Sequence, residues 1–115
     1  MKLRFRKNNL RLRVNRLEVE RLAAGQELAE RISFPGGATL EYILAPSPAA
    51  QRAAEFDGKA IRVTAPLGDW ARGGEIGFYF EVETGLKVAI EKDLECVDGS
   101  EDERDPYSFP RAKTC

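Results

Sequence analysis

The sequence predicts a single α+β domain of about eight strands in sequential hairpins, with one helix after the first hairpin and a short helical turn near residues 66–72. Three observations support this fold class. Apolar and polar residues alternate in short runs, which is the period of half-buried strands. Turn-forming residues such as Asn, Gly and Pro separate those runs. The chain of 115 residues suits one domain with its own core. We expect one twisted antiparallel sheet, or a partly closed barrel.

The first element is a hairpin over residues 2–14, in which apolar and basic residues alternate on both sides of Asn8 and Asn9. Both asparagines tolerate the left-handed backbone of a tight turn. A two-residue turn there fixes the register and separates an apolar face from a basic one. The predicted pairs are Phe5 with Leu12 and Leu3 with Val14 on the apolar face, and Arg6 with Arg11 and Arg4 with Arg13 on the basic face.

A helix of about two turns and a second hairpin follow. Asn15 and Glu18 have the spacing of a capping box, and Gly25 can end the helix in a left-handed cap. Apolar residues then alternate on both sides of a turn at Pro35-Gly36-Gly37.

The second half of the chain follows the same plan. A hairpin turns at Asp57-Gly58, and a helical turn begins after Pro66. A last hairpin has a three-residue loop at 84–86, which would set Glu83 beside Lys87. The order hairpin, helix, hairpin thus occurs twice, although the two halves show no evident matching residues.

The composition of the chain predicts where the domain ends and in which compartment the protein is found. Residues 1–96 are predicted to form the domain and residues 97–115 an acidic, largely flexible tail. No signal peptide and no run of about 18 apolar residues occurs, so we expect a cytoplasmic protein without a membrane span. The two cysteines, Cys96 and Cys115, are expected to be free thiols. Because the chain has no histidine, we predict neither a metal site nor a cofactor.

Positive charge is concentrated at the start of the chain. The first 16 residues contain seven basic side chains and no acid. Like charges opposite each other across two strands destabilise the pair, so we expect a negative group to compensate them. The candidate binding residues are Lys2, Arg4, Arg6, Arg11 and Arg13.

Three sources of negative charge are open. The first is the acids of the late strands, the second is the acidic tail, and the third is an outside polyanion such as nucleic acid. The nucleic-acid alternative lacks a stacking aromatic residue among the basic side chains. The candidate counter-charges are Glu81, Glu83, Glu91 and Asp93 on the late strands and Glu101, Asp102 and Glu103 in the tail.

No catalytic motif is present, and without histidine the commonest general base is missing. Carboxylates two residues apart lie on the same face of a strand and can act as a catalytic pair, so an enzyme is a third alternative. Trp70 is predicted to close the core rather than to form a contact surface. We therefore predict a non-enzymatic binding module whose basic hairpin docks a macromolecule, with a protein favoured and nucleic acid as the alternative. The oligomeric state is not predicted.

Several short segments occur in a characteristic order: "MKLRFR", Arg11-Leu12-Arg13, "FPGG" at 34–37, "EKDLEC" at 91–96 and Phe109-Pro110 after an acidic stretch. In this order and spacing the chain resembles a small bacterial family of uncharacterised proteins, a domain of unknown function. The sequence departs from the family pattern at Leu94 and at Arg111-Ala112. The resemblance implies no activity, cofactor or catalytic residue.

Overall fold

The computed structural model describes residues 1–93, which form eight strands and two helices. In chain order they are β1 (Lys2–Arg6), β2 (Asn9–Val14), α1 (Arg16–Ala23), β3 (Leu28–Ser33), β4 (Thr39–Pro46), β5 (Ala53–Phe56), β6 (Ala60–Ala65), α2 (Leu67–Arg72), β7 (Gly77–Glu81) and β8 (Lys87–Lys92). The strand number, the four hairpins and both helices agree with the sequence prediction. The predictions for the tail at 97–115 and for Cys96 concern residues outside the described range.

The strands form two four-stranded sheets, so the prediction of one antiparallel sheet or barrel is wrong. The first sheet has the order β1-β2-β8-β7, and the second has the order β3-β4-β6-β5. Each sheet joins two antiparallel hairpins through a central parallel pair, β2 with β8 and β4 with β6. Both helices carry the chain from one sheet to the other, so the hairpins on either side of a helix lie in different sheets.

The core lies between the two sheets and is closed at one end by the helices. Leu12 and Ile90 from the first sheet and Leu44 and Val63 from the second are fully buried in one apolar cluster. Trp70 of α2 belongs to the same cluster and is 7% exposed, as expected for a residue that closes the core. All four hairpin turns lie at the opposite end of the molecule, because β2, β8, β4 and β6 all begin there.

The turn of the first hairpin is formed by Lys7 and Asn8, one residue earlier than predicted. Lys7 has the positive φ of 53° that the turn needs. Asn9 is held in β2 by its pairing opposite Lys87 of β8, and this moves the turn. The two faces remain as predicted, but the partners change: Lys2 lies opposite Arg13, Leu3 opposite Leu12, Arg4 opposite Arg11, Phe5 opposite Leu10, and Arg6 opposite Asn9.

The last hairpin has the predicted three-residue loop, but one position earlier. The amide of Val82 donates to the carbonyl of Leu86 at 3.0 Å, so the loop consists of residues 83–85. Gly85 takes the positive φ of 88° in this loop. As a result Lys87 pairs with Glu81, and the expected pairing of Glu83 with Lys87 is wrong.

The predicted signals at both ends of α1 are confirmed. The side chain of Asn15 accepts from the amide of Glu18 at 2.9 Å, and the Glu18 carboxylate accepts from the amide of Asn15. At the other end Gly25 has a φ of 83°, and its amide donates to the carbonyl of Leu22. A reciprocal cap and a left-handed glycine thus define a helix of only eight residues.

The two halves of the chain are related by a pseudo-two-fold axis along the strands. The unit β1-β2-α1-β3-β4 has the same topology as β5-β6-α2-β7-β8, and each sheet takes one hairpin from each unit. The registers agree residue by residue, since Asn9 opposite Lys87 corresponds to Ala60 opposite Glu41. Further counterparts are Leu3 and Ala54, Arg4 and Glu55, Phe5 and Phe56, Arg11 and Arg62, Ala89 and Ile43, and Tyr79 and Ala29.

Candidate anion-binding face

The outer face of the first sheet collects the basic residues of the first hairpin in three cross-strand rows. We call this surface the basic face. Alternation along each strand and the observed registers determine its members. The rows run Lys2-Arg13-Glu91-Gly77, Arg4-Arg11-Ala89-Tyr79 and Arg6-Asn9-Lys87-Glu81. All five basic residues predicted from the sequence therefore share one surface.

Glu91 compensates part of this charge. Its Oε1 lies 3.4 Å from Nε of Arg11 and 3.6 Å from Nε of Arg13, and its Oε2 accepts from the hydroxyl of Tyr79 at 2.9 Å. Arg13 is only 7% exposed, so its positive charge is largely shielded from solvent. One carboxylate thus contacts two guanidinium groups.

The other predicted counter-charges of the late strands divide into two groups. Asp93 lies 2.9 Å from Nζ of Lys2 and compensates it. Glu81 lies on β7 opposite Lys87, away from the first hairpin. Glu83 lies in the loop after β7 and is not brought to the arginines. The tail residues Glu101, Asp102 and Glu103 lie outside the described residues.

Arg4 and Arg6 form the uncompensated part of the basic face. Both side chains are exposed, and neither makes an ion pair with another residue in the range 1–93. With Asn9 and Arg11 they line a groove of about 290 Å³ on the outer face. The row that contains Arg4 places it directly opposite Arg11, so two guanidinium groups border the groove from neighbouring strands.

Tyr79 is the residue of this face that the sequence did not reveal. It lies on β7, opposite Ala89, in the same row as Arg4 and Arg11, and it is 63% exposed. A second groove of about 420 Å³ extends from Asn9 and Arg11 across Ala89 to Tyr79. Asn9 and Arg11 border both grooves, so the groove of the arginines and the groove that contains the aromatic ring lie next to each other.

Gly77 provides the space in which Tyr79 lies. A Cβ atom added to Gly77 would stand 2.1 Å from the hydroxyl oxygen of Tyr79 and 2.3 Å from its Cζ. The phenol therefore lies along its own strand, over Gly77, and reaches Glu91 from there. The absence of a side chain at Gly77 and the hydrogen bond to Glu91 together determine the position of the Tyr79 ring.

A separate apolar pocket of about 390 Å³ opens between the sheets at the end with the hairpin turns. Pseudo-two-fold counterparts line it, namely Phe5 with Phe56, Leu10 with Ile61 and Leu40 with Leu86. Phe5 and Phe56 are each more than half exposed. Apart from Glu55, aliphatic and aromatic side chains form this lining, so the pocket mainly offers apolar contact.

The described part of the chain contains no group of three or more Cys, Asp or Glu side chains arranged to hold a metal ion. Guanidinium groups bind anionic groups through charge-assisted hydrogen bonds, and this is the chemistry that the basic face offers.

Neither helix in residues 1–93 combines the length and the apolar composition that crossing a membrane would require.

Comparison with known proteins agrees with the resemblance seen in the sequence. A family model described as "Family of unknown function (DUF7009)" matches residues 1–111. No curated protein and no solved structure matches the chain.

Proposed function

Since the chain belongs to the family of unknown function DUF7009, whose description names no activity, we propose from the geometry of the basic face that the protein is a binding module for an anionic macromolecule. Arg4, Arg6 and Arg11 form the binding groove in this proposal. The single observation that carries it is the exposed pair Arg4 and Arg6, which has no counter-charge among residues 1–93 and borders a groove together with Arg11.

Electrostatics favours an outside partner at this groove. Arg4 faces Arg11 across the strands, and like charges in that arrangement cost about 0.2–1 kcal/mol. Glu91 relieves Arg11 but makes no ion pair with Arg4 among residues 1–93. An incoming carboxylate or phosphate would offset the repulsion and form charge-assisted hydrogen bonds with the two guanidinium groups.

Retention of the full chain on immobilised heparin, a polyanion without bases, tests the proposal. The double variant Arg4→Gln/Arg6→Gln is expected to elute at clearly lower salt than the unaltered protein, because it loses the two uncompensated charges. The matched control is Arg31→Gln/Lys59→Gln, which removes two exposed positive charges from the second sheet and its turn. Equal elution of the two double variants, or no retention of the unaltered protein at low salt, would contradict the proposal.

The acidic tail enters the proposal as an intramolecular counter-charge for the same arginines. The variant Glu101→Gln/Asp102→Asn/Glu103→Gln is then expected to bind heparin more tightly. This gain should vanish when Arg4 and Arg6 are also replaced, because the tail would have nothing left to mask. The control Glu20→Gln/Glu55→Gln/Glu75→Gln changes the net charge equally at exposed positions elsewhere. A gain of the same size in this control would exclude a specific role for the tail.

A further inference from the structure

We infer that the anionic macromolecule is single-stranded nucleic acid, with Tyr79 as the surface on which a base stacks and Arg4, Arg6 and Arg11 as the phosphate contacts. This inference rests on the proposed function and names the class of its partner. Binding of single strands characteristically combines a positively charged groove with exposed aromatic rings. The first sheet brings both together in the row Arg4-Arg11-Ala89-Tyr79.

The spacing of this row suits a chain of linked phosphates and bases. Neighbouring strands lie about 4.8 Å apart, so Tyr79 stands about 10 Å from the backbone of Arg11 and about 14 Å from that of Arg4. Ala89, between them, has a small side chain that keeps the groove open. A base on the ring can therefore remain connected to phosphates at the arginines.

The position of Tyr79 suits a stacking role. Its hydroxyl is bonded to Glu91 and its ring lies over Gly77, yet the side chain is 63% exposed. Because this hydrogen bond restricts the motion of the ring, less conformational entropy is lost when a base stacks on it. The same carboxylate holds Arg11, so Glu91 orients the stacking residue and one phosphate contact together.

The second sheet is an internal comparison with the same geometry. Its corresponding row is Glu55-Arg62-Ile43-Ala29, because the registers of the two sheets agree. This row has an acid in place of Arg4 and no aromatic residue, and its Arg62 is engaged by Glu27. The arrangement of basic groove and aromatic ring is thus not a consequence of the fold, since the fold builds the same row without it.

Fluorescence anisotropy with a labelled oligothymidine of twelve nucleotides tests the inference on the full chain. We expect Tyr79→Leu to weaken binding about tenfold, or ~1.4 kcal/mol, as the loss of one stacked base would, and Tyr79→Phe to stay within about twofold. Heparin retention should be the same for Tyr79→Leu and the unaltered protein, because heparin has no base. Phe56→Leu, which alters an exposed aromatic residue away from the basic face, is the matched control and should bind as the unaltered protein does.

The salt dependence tests the phosphate contacts separately. Three contacts to a single strand predict a slope of about −2 for the logarithm of the binding constant against the logarithm of salt concentration. Arg4→Gln/Arg6→Gln should reduce this slope to about −0.7.

The outcomes separate the inference from the proposed function. Heparin retention that depends on Arg4 and Arg6, without oligothymidine binding, would overturn the inference and leave an acidic protein surface as the partner. An unchanged oligothymidine affinity in Tyr79→Leu, or equal affinity for a duplex of the same length, would also overturn it. Loss of binding to both polyanions in every assay would overturn the proposed function itself.

Discussion

Glu91 is the residue that determines how charge is distributed on the basic face. It contacts Arg11, Arg13 and Tyr79 at once, although it is a single carboxylate. Because Arg13 is buried, an uncompensated charge there would destabilise the sheet, and Glu91 supplies part of the compensation. Arg4 and Arg6 lie beyond its reach, so the positive charge that remains is directed toward the edge of the sheet. The position of this one side chain thus compensates the arginines of β2 and leaves those of β1, at the edge of the sheet, available to a partner.

Asp57 provides a residue-scale prediction of pH dependence. Hydrogen bonds from the amides of Ala60 and Lys59, both 2.8 Å long, hold the pKa of this exposed carboxyl below its ordinary value of 3.8. A lowered folded-state pKa means that the contribution of Asp57 to stability is complete above the unfolded pKa. The contribution disappears as the pH falls through the folded pKa.

We therefore expect Asp57→Ala to be less stable than the unaltered protein at pH 7, with the difference shrinking below about pH 4. Urea unfolding at several pH values measures this. Asp57→Asn retains an acceptor for the turn amides but no titration, and should separate the turn geometry from the charge. A difference between Asp57→Ala and the unaltered protein that stays constant down to pH 2 would contradict the explanation.

At the scale of elements, the apolar pocket shows where the two halves differ in packing. Leu3 of β1 and its counterpart on β5, Ala54, both pack against the core, but Ala54 has the smaller side chain and also lines the pocket. The space of about 390 Å³ beside Ala54 is more than a larger side chain would need. The second half therefore fills less space with apolar atoms at this position than the first half does.

Ala54→Leu is expected to raise the free energy of unfolding by about 1 kcal/mol, because the added methylene groups would be partly buried in the pocket. Chemical denaturation measures the change. Ala53→Leu is the matched control, since Ala53 lies on the same strand but faces away from the pocket, and it should change stability by less than about 0.5 kcal/mol. The prediction fails if Ala54→Leu is no more stable than Ala53→Leu.

The elements themselves could be predicted because their signals are local. Asn15 with Glu18, Gly25, Pro35-Gly36-Gly37 and Asp57-Gly58 each mark a boundary within a few residues of sequence. The pairing of β2 with β8 has no such signal, since parallel strands are joined through distant parts of the chain.

The pairing of β2 with β8 also decides the candidate site. It places Tyr79 in the row of Arg4 and Arg11, and it moves the first turn to Lys7 and Asn8. The basic residues and their face could therefore be predicted from alternation alone. Their aromatic neighbour and the role of Glu91 required knowledge of which strands are adjacent.

At the scale of the whole molecule, the exchange of hairpins between sheets makes the two halves depend on each other. Each half contributes one hairpin to each sheet, and the parallel pairs at the centres join residues from different halves. The helices α1 and α2, one from each half, also pack together. Neither half contains a complete sheet, and an isolated two-stranded hairpin is marginally stable in water.

Fragments 1–50 and 51–115 are accordingly expected to show no cooperative unfolding transition when each is a monomer. Mixing them should restore the far-UV circular dichroism and a cooperative thermal transition. The control is a cut within the loop 83–85, which should leave most of the paired structure in one fragment. Cooperative unfolding of monomeric 1–50 would show that the halves fold independently.

The pseudo-two-fold axis has a consequence for how such a surface can evolve. Two identical half-length chains assembled in the same way would carry every substitution twice, once on each sheet. An arginine at one edge would then always be repeated at the other. In a single chain Arg4 and Glu55 occupy matching positions with opposite charge, and Tyr79 matches Ala29. Covalent linkage of the halves lets selection change one outer surface without changing the other.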